Sequence, residues 1–214
     1  MHSFSGFERA NGAVGIRNAV LVISGDLCCN PWSREIASSV DGCHAVTHKH
    51  GVGNFAPDRV LYKRLMQGIT THPNTAGFVY VSSGNEDHAA EELLAEVVRL
   101  DVPHHIVSAR THASGGPLVR EGVESAGKLV ERTAGMKRTE TAVGKLVIGL
   151  NCAGTDTASE TSVHPVVGVV VDMLVQYGAT VILTETPDLI GLGDTLFNRS
   201  ERPGDRTLLR RFYQ

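Results

Sequence analysis

The chain has 214 residues, of which 42% are hydrophobic and 20% charged, with 20 Lys and Arg against 23 Asp and Glu and a net charge of −3. That apolar content excludes a disordered chain, and the length allows one or two domains with a sizeable core. The longest apolar stretch, residues 166–175, is interrupted by Asp172 and falls short of the roughly 18–20 residues of a membrane span, while mixed charge argues against a dedicated nucleic-acid binder.

The opening residues carry no basic stretch followed by an apolar one, so no signal peptide is expected. Four cysteines (Cys28, Cys29, Cys43 and Cys152) are too few for a disulfide scaffold. Reduced thiols in a cytoplasmic protein are the expected state.

In chain order, β-rich segments fall at residues 18–23, 44–47, 78–82, 105–108, 146–150 and 180–184. Most are apolar runs without strict alternation, the pattern of strands buried on both faces. Helical patterns lie between them, at 33–40, 57–69, 86–100, 117–138 and 165–177. Ser83 and Glu86 have capping-box spacing before the third, and Gly178 stands as a C-terminal cap of the last. The spacing is that of βα units joined by right-handed crossovers. It predicts an α/β protein with a mainly parallel sheet, flanking helices and Rossmann-like units. The polar stretch 136–144 predicts a boundary between domains 1–138 and 139–214. The arginine-rich segment 200–214 reads as a solvated tail or an interface.

In open parallel sheets, ligands bind outside the carboxyl ends of the strands. The loops there are rich in polar side chains, at 24–30, 48–54, 83–88, 110–112, 151–157 and 185–187. His48 and His50, two apart, can point the same way and offer two imidazoles to a metal, or a base and a ligand. They can equally be exposed loop histidines. Cys152 follows a strand and precedes Ala153-Gly154, where backbone can approach a ligand closely; a lone buried thiol reads the same way. Residues 51–56 fit G-x-G-x-x-A, a weak nicotinamide-cofactor signal.

Several stretches resemble one family. Gly6-Phe7-Glu8-Arg9-Ala10-Asn11-Gly12-Ala13-Val14-Gly15-Ile16-Arg17-Asn18 is similar to G-[YF]-x-R-x-[DN]-G-x-x-G-x-R-N, and Gly149-Leu150-Asn151-Cys152-Ala153-Gly154-Thr155-Asp156 to G-L-x-C-G-G-[ST]-D. Thr47-His48-x-x-Gly51, His72-Pro73-Asn74 and Gly84-Asn85-Glu86 fall at three further motifs. These are the marks of the altronate/galactarate dehydratase family, sugar-acid hydro-lyases that also include a sulfolactate sulfo-lyase subunit. Two family cysteines are replaced, by Val52 and Asn85, while Cys28 and Cys152 match. Valine cannot ligate a metal and asparagine is a poor substitute for thiolate.

The resemblance implies a hydro-lyase acting on a small acidic carbohydrate, or a subunit of one. The alternative is a non-catalytic or regulatory paralogue that binds an acidic small molecule or a partner. On the matched positions, His48, His50 and Glu86 are catalytic candidates, and Arg17, Asn18, Asp156 and Ser159 substrate-binding ones. His48, Glu86 and Cys152 are candidate ligands of a divalent metal, iron among them. Arg17, His48, Glu86 and Cys152 are expected to converge from four strand ends. Family members continue well past the sixth strand, which implies a homo-oligomer or a partner subunit supplying the missing C-terminal part, with no nucleic acid and no membrane.

Overall fold

The computed structural model describes residues 2–87, 90–152, 154–185 and 189–213. The chain divides into a larger unit, Ser3–Thr141, and a smaller one, Ala142–Gln214 with Met1–His2.

The larger unit opens with β1 (Ser3–Glu8) and β2 (Val14–Gly15), an antiparallel pair in which Phe7 faces Gly15. It continues through β3 (Ala19–Ser24), α1 (Asn30–Ser38), β4 (Cys43–Val46), α2 (Ala56–Thr70), β5 (Thr75–Ser82), α3 (Ala90–Arg99), β6 (His104–Ser108), α4 (Gly115–Ala134) and β7 (Thr139–Ala142). Strand β7 lies beside β1 in a three-stranded sheet of order β2-β1-β7.

The main sheet is parallel throughout and ordered β4-β3-β5-β6. All eight residues of β5 are buried, which is why that stretch reads as an unbroken apolar run. Period-2 alternation divides them between two cores. Val79 and Val81, with Val20 and Val22, pack on Ile36, Leu118, Ala126 and Leu129 of α1 and α4. Phe78 and Tyr80, with Ile23, pack on Tyr62, Met66, Leu93 and Val97 of α2 and α3. The chain leaves β3 outward to β4, then crosses back to β5, so strand order reverses between β3 and β5. A crevice opens at the carboxyl ends of strands at such a reversal.

The smaller unit holds β8 (Val147–Leu150), α5 (His164–Gln176), β9 (Thr180–Leu183), α6 (Gly193–Arg199) and α7 (Pro203–Tyr213), with β8 and β9 parallel. Its burial is sparse: among the described residues only Ala179 is a buried hydrophobic there.

Beyond β1, β2, β7 and α6, which the sequence reading did not include, two segments depart from it. The helix expected from residue 86 lies further on, because the Glu86 carboxylate accepts the Ser83 N–H (2.8 Å) and closes a loop instead of capping α3. The solvated segment after residue 200 is helical, not irregular: Pro203 opens α7, Asp205 sits in its first turn and Arg210 and Arg211 in its last, which complements the helix dipole, and the residues through Arg211 are mostly exposed. The Arg206 and Arg210 guanidinium groups lie 5.7 and 4.4 Å from the Phe197 ring centroid.

Candidate functional site

Three loops meet at the carboxyl edge of the larger unit's sheet. The first turns directly after β3, where Asp26 closes a 3-10 turn by accepting the N–H groups of Cys28 (2.8 Å) and Cys29 (3.2 Å). Its other oxygen accepts the Ser83 hydroxyl from the loop after β5. The third loop follows β4 and is bonded to both: Leu27 N–H donates to the His50 carbonyl (3.0 Å), and Asp87 N–H to the Gly51 carbonyl (2.8 Å). Gly51 has φ +102°, and a Cβ there would stand 2.4 Å from the Gly25 carbonyl oxygen, so no other residue fits the approach.

Asp26, Cys29 and Glu86 thereby offer ligand atoms all within 4.8 Å of one another. Asp26 and Cys29 are buried at 1% and 0% exposure, and Glu86 is half-buried. Burial, and then the Asp26 carboxylate beside it, pushes the Cys29 thiol far above its ordinary range. Behind the trio stand Tyr62, whose hydroxyl donates to the Gly25 carbonyl (2.5 Å), and Tyr80. Both phenols are pushed far up, by burial first. Tyr80 OH is buried, and although the Tyr62 hydroxyl is near enough to perturb it, no atom meets it in hydrogen-bond geometry.

The residues singled out in the sequence fall in three places. Glu86, His48 and His50 are on this rim. The His48 ring is engaged on both sides: Nε2 lies 2.7 Å from the Ser24 carbonyl and so carries the proton, while Nδ1 accepts the His50 N–H at 3.3 Å. The His50 side chain is exposed. Cys28, Val52 and Asn85, three of the four positions where the family pattern has cysteine, are exposed in loops on the same rim.

Arg17 and Asn18 are not brought there. They precede β3 and lie at the amino edge, with about 17 Å of strand in between. Asn18 Oδ1 accepts Arg9 Nη1 (2.9 Å), and its amide donates to the Thr133 carbonyl at the end of α4 (3.0 Å). Arg9 also donates to the Pro73 and Arg17 carbonyls, and the Asn74 side chain accepts the Ile16 and Arg17 N–H groups. A Cβ on Gly15 would fall 2.2 Å from the Pro73 oxygen. The glycine- and arginine-rich opening motif therefore ties the β1–β2 hairpin to the sheet, and the Arg17 side chain is left exposed.

Cys152, Asp156 and Ser159 belong to the smaller unit. Cys152 and Ser159 line a cleft of about 720 Å³ shared with His164, Asp172, Glu185 and Arg199. Cys152 Sγ is 3.9 Å from His164 Nε2, and its N–H donates to Glu185 (3.2 Å), itself in the left-handed region at φ +59°. Asp156 accepts the Ser159 N–H (2.7 Å), the main cause holding its carboxyl below the usual range. This bond starts a π-helical turn, Ser159–Val163, that leads into α5.

The sequence reading passed over Asp26, Cys29, Tyr62, Tyr80, His164 and Glu185. Asp26 and Cys29 stood in a loop already marked as polar, but a phenol inside a buried strand or an amphipathic helix looks like core. The G-x-G-x-x-A pattern has a local explanation: the N–H groups of Gly53 and Asn54, which a phosphate would need, are taken by the Asp87 carboxylate (3.1 and 2.8 Å).

Comparison with known proteins agrees with this division. D-galactarate dehydratase/altronate hydrolase, second domain, matches residues 6–134, and D-galactarate/altronate dehydratase, C-terminal, matches 143–213. Altronate dehydratase of Escherichia coli is 25% identical over 205 residues, covering 90% of this chain and 40% of that protein. Altronate dehydratase of Bacillus subtilis is 26% identical over 208 residues (92% and 41%). The (2R)-sulfolactate sulfo-lyase subunit beta of Chromohalobacter salexigens is 26% identical over 189 residues (88% and 48%). The chain thus spans less than half the length of these relatives. A match over most of the larger unit, continued through the smaller one, places the chain in the D-galactarate dehydratase/altronate hydrolase family.

Proposed function

We propose that the chain carries out hydro-lyase chemistry on a small sugar acid, or forms part of a subunit that does. The observation that carries this reading is the strand-order reversal between β3 and β5, with the half-buried Glu86 in the loop that follows β5, in a chain of this family. Dehydration removes the proton α to a carboxylate and expels a β-hydroxide. The α-proton is weakly acidic, so its loss requires a placed base and a cation against the developing enediolate; the departing hydroxide requires a proton or a Lewis acid.

Glu86 is suited to the base. Arg110, whose guanidinium reaches the Gly84 carbonyl, sets a planar cation on the same rim for the substrate carboxylate. His48 would have to leave Ser24 before acting as base or metal ligand. His50, with its exposed ring, is free to move a proton at the rim.

Calorimetric titration with a panel of aldonates and aldarates tests this reading. Binding at millimolar concentration or tighter is expected, weakened by roughly 1–3 kcal/mol in Arg110→Lys and unchanged in Arg17→Lys. If no acid binds the wild-type chain at millimolar concentration, the reading fails. A second reading, a paralogue that binds without turnover, is favoured by Val52 and Asn85 standing exposed where the family pattern has thiols. Binding of an acid with no product formed would select it.

We also infer that the smaller unit is covered by further polypeptide. On α5, Val166, Val169, Met173 and Val175 are 50–63% exposed. Ile182 and Leu183 on adjacent positions of β9, which point to opposite faces, are 51% and 56% exposed. A parallel pair with exposed apolar residues on adjacent positions is a structure that normally occurs only when covered further. Relatives of which the match covers 40% and 48%, the second named as a subunit, make the rest of the C-terminal family domain the fitting cover. A second copy of this chain is the competing outcome, read by sedimentation.

A further inference from the structure

From the geometry at the outer edge of the main sheet we infer that His112, held against Glu121, is a positioning residue for Arg110, the cation proposed above for the substrate carboxylate. The inference rests on the hydro-lyase reading for what Arg110 binds, and on geometry alone for what holds Arg110. Strand β6 runs into a 3-10 turn, Ala109–Thr111, flanked by His112. The Ser108 hydroxyl accepts the Arg110 N–H (3.3 Å), and the Ser108 carbonyl accepts the Thr111 hydroxyl (2.9 Å). His112 Nδ1 lies 2.9 Å from that same carbonyl, and Nε2 lies 2.8 Å from a Glu121 oxygen on α4. The ring therefore ties the turn to the helix.

The turn is tied on its other side as well. The Arg110 guanidinium donates to the Gly84 carbonyl, and a Cβ on Gly84, at φ +80°, would fall on the Arg110 stem. Gly84 stands two residues before Glu86. A chain of contacts thus runs from Glu121 through His112 and the turn to Arg110, and on to the loop that carries Glu86.

The proton count makes this tie sensitive to pH. Nδ1 faces a carbonyl and so donates. An unprotonated Nε2 would then set its lone pair against a carboxylate oxygen at 2.8 Å, so the contact is attractive only when the ring carries both protons. The other Glu121 oxygen takes a second partner, His105 Nε2 of β6, at 2.8 Å. The remaining charged groups near the ring are Arg110 of its own turn and, one turn on along α4, Glu124, which is paired with Lys128 (2.6 Å) and lies close enough to His105 to feel its charge. Loss of the second proton as pH rises turns the Glu121 contact from attraction to repulsion and releases the turn that carries Arg110.

Three measurements on the 214-residue chain test this. In nitrogen-detected NMR of the histidine rings followed against pH, His112 should lose its second proton at higher pH in wild type than in Glu121→Gln, whose amide can donate to a bare Nε2. The Arg110 Nε–H signal, distinct in wild type, should collapse to the position of free arginine in His112→Ala. In calorimetric titration with aldonates and aldarates, His112→Ala should weaken binding about 10-fold, the size of one lost charge-assisted contact, and should add nothing once Arg110→Ala is present. A ring titration unmoved by Glu121→Gln, an Arg110 signal unmoved in His112→Ala, or losses that simply add in the double variant would overturn the proposal. If no acid binds the wild-type chain, the hydro-lyase reading fails, while the ring titration and the Arg110 signal still decide whether His112 holds the turn. Should His112→Ala not fold, Glu121→Ala, at a side chain 39% exposed, supplies the same readouts.

Discussion

At the residue scale, single side chains hold the loops of the rim in place. Asp87 accepts two N–H groups from the 51–54 loop and pairs with Arg59 at 3.3 Å. The bond from Asn54, above all, holds its carboxyl below the usual range. A carboxyl lowered by folding stabilises fully above its unfolded value near ~3.9, and that stability is lost as pH falls through the folded value. Asp87→Ala is therefore expected to lower stability by about 1–3 kcal/mol at pH 7. Chemical denaturation repeated down to pH 3 should show the gap from wild type closing; a gap that stays constant would remove Asp87 from this role.

Tyr80→Phe is expected to behave unlike an ordinary buried Tyr→Phe change. The hydroxyl it deletes is buried beside that of Tyr62 without a partner in good hydrogen-bond geometry, so removal should be neutral or stabilising by up to ~1 kcal/mol, in contrast to a loss of similar size where a well-made hydrogen bond is broken. Equilibrium denaturation reads the sign, and a clear destabilisation would mean the hydroxyl is satisfied after all. Gly51→Ala, which drives a Cβ into the Gly25 carbonyl, should displace the loop and reduce stability.

At the scale of elements, what could be read from the sequence depended on where each element gets its stability. Strands β3 and β5 announce themselves because buried parallel strands must be apolar, whereas β4 at the sheet edge, with His44 and Ala45 exposed, is shorter and more polar. Strands β1, β2 and β7 do not: Ser3–Glu8 and Thr139–Ala142 are short and mostly polar, and exist through pairing with each other and through Arg138, which donates to the Ser5 and Ile16 carbonyls across the Phe7 ring. Ser83 and Glu86 mimic a helix cap because the same reach-back bond can close a loop. The rim itself was legible as a set of polar loops following strands. That Arg17 lies at the other edge follows from its preceding β3, a matter of strand direction that matching motifs ignores. Helix α5 carries its own test. Valines exposed on the faces of α5 that do not pack on β9 imply a cover, so the chain alone is expected to self-associate or to bind an apolar dye strongly. Sedimentation showing a monomer at micromolar concentration, without dye binding, would count against a covered face.

At the scale of the whole molecule, the fold places a reversal of strand order, a buried acid–thiol cluster and an exposed rim cation at one edge of one sheet, and sets a Cys152–His164 cleft in a second unit. Catalysis by such a rim requires Glu86 to be a group that acts, and the cluster to be more than a cap for a turn. The direct measurement is product formation from aldonates and aldarates, followed by NMR in deuterated water, with the metal-loaded chain in the presence and absence of the remaining C-terminal family domain. The account predicts α-proton exchange and dehydration of at least one acid, both lost in Glu86→Gln while the folded structure persists. Turnover unaffected by Glu86→Gln, or no exchange with any acid under either condition, would contradict it.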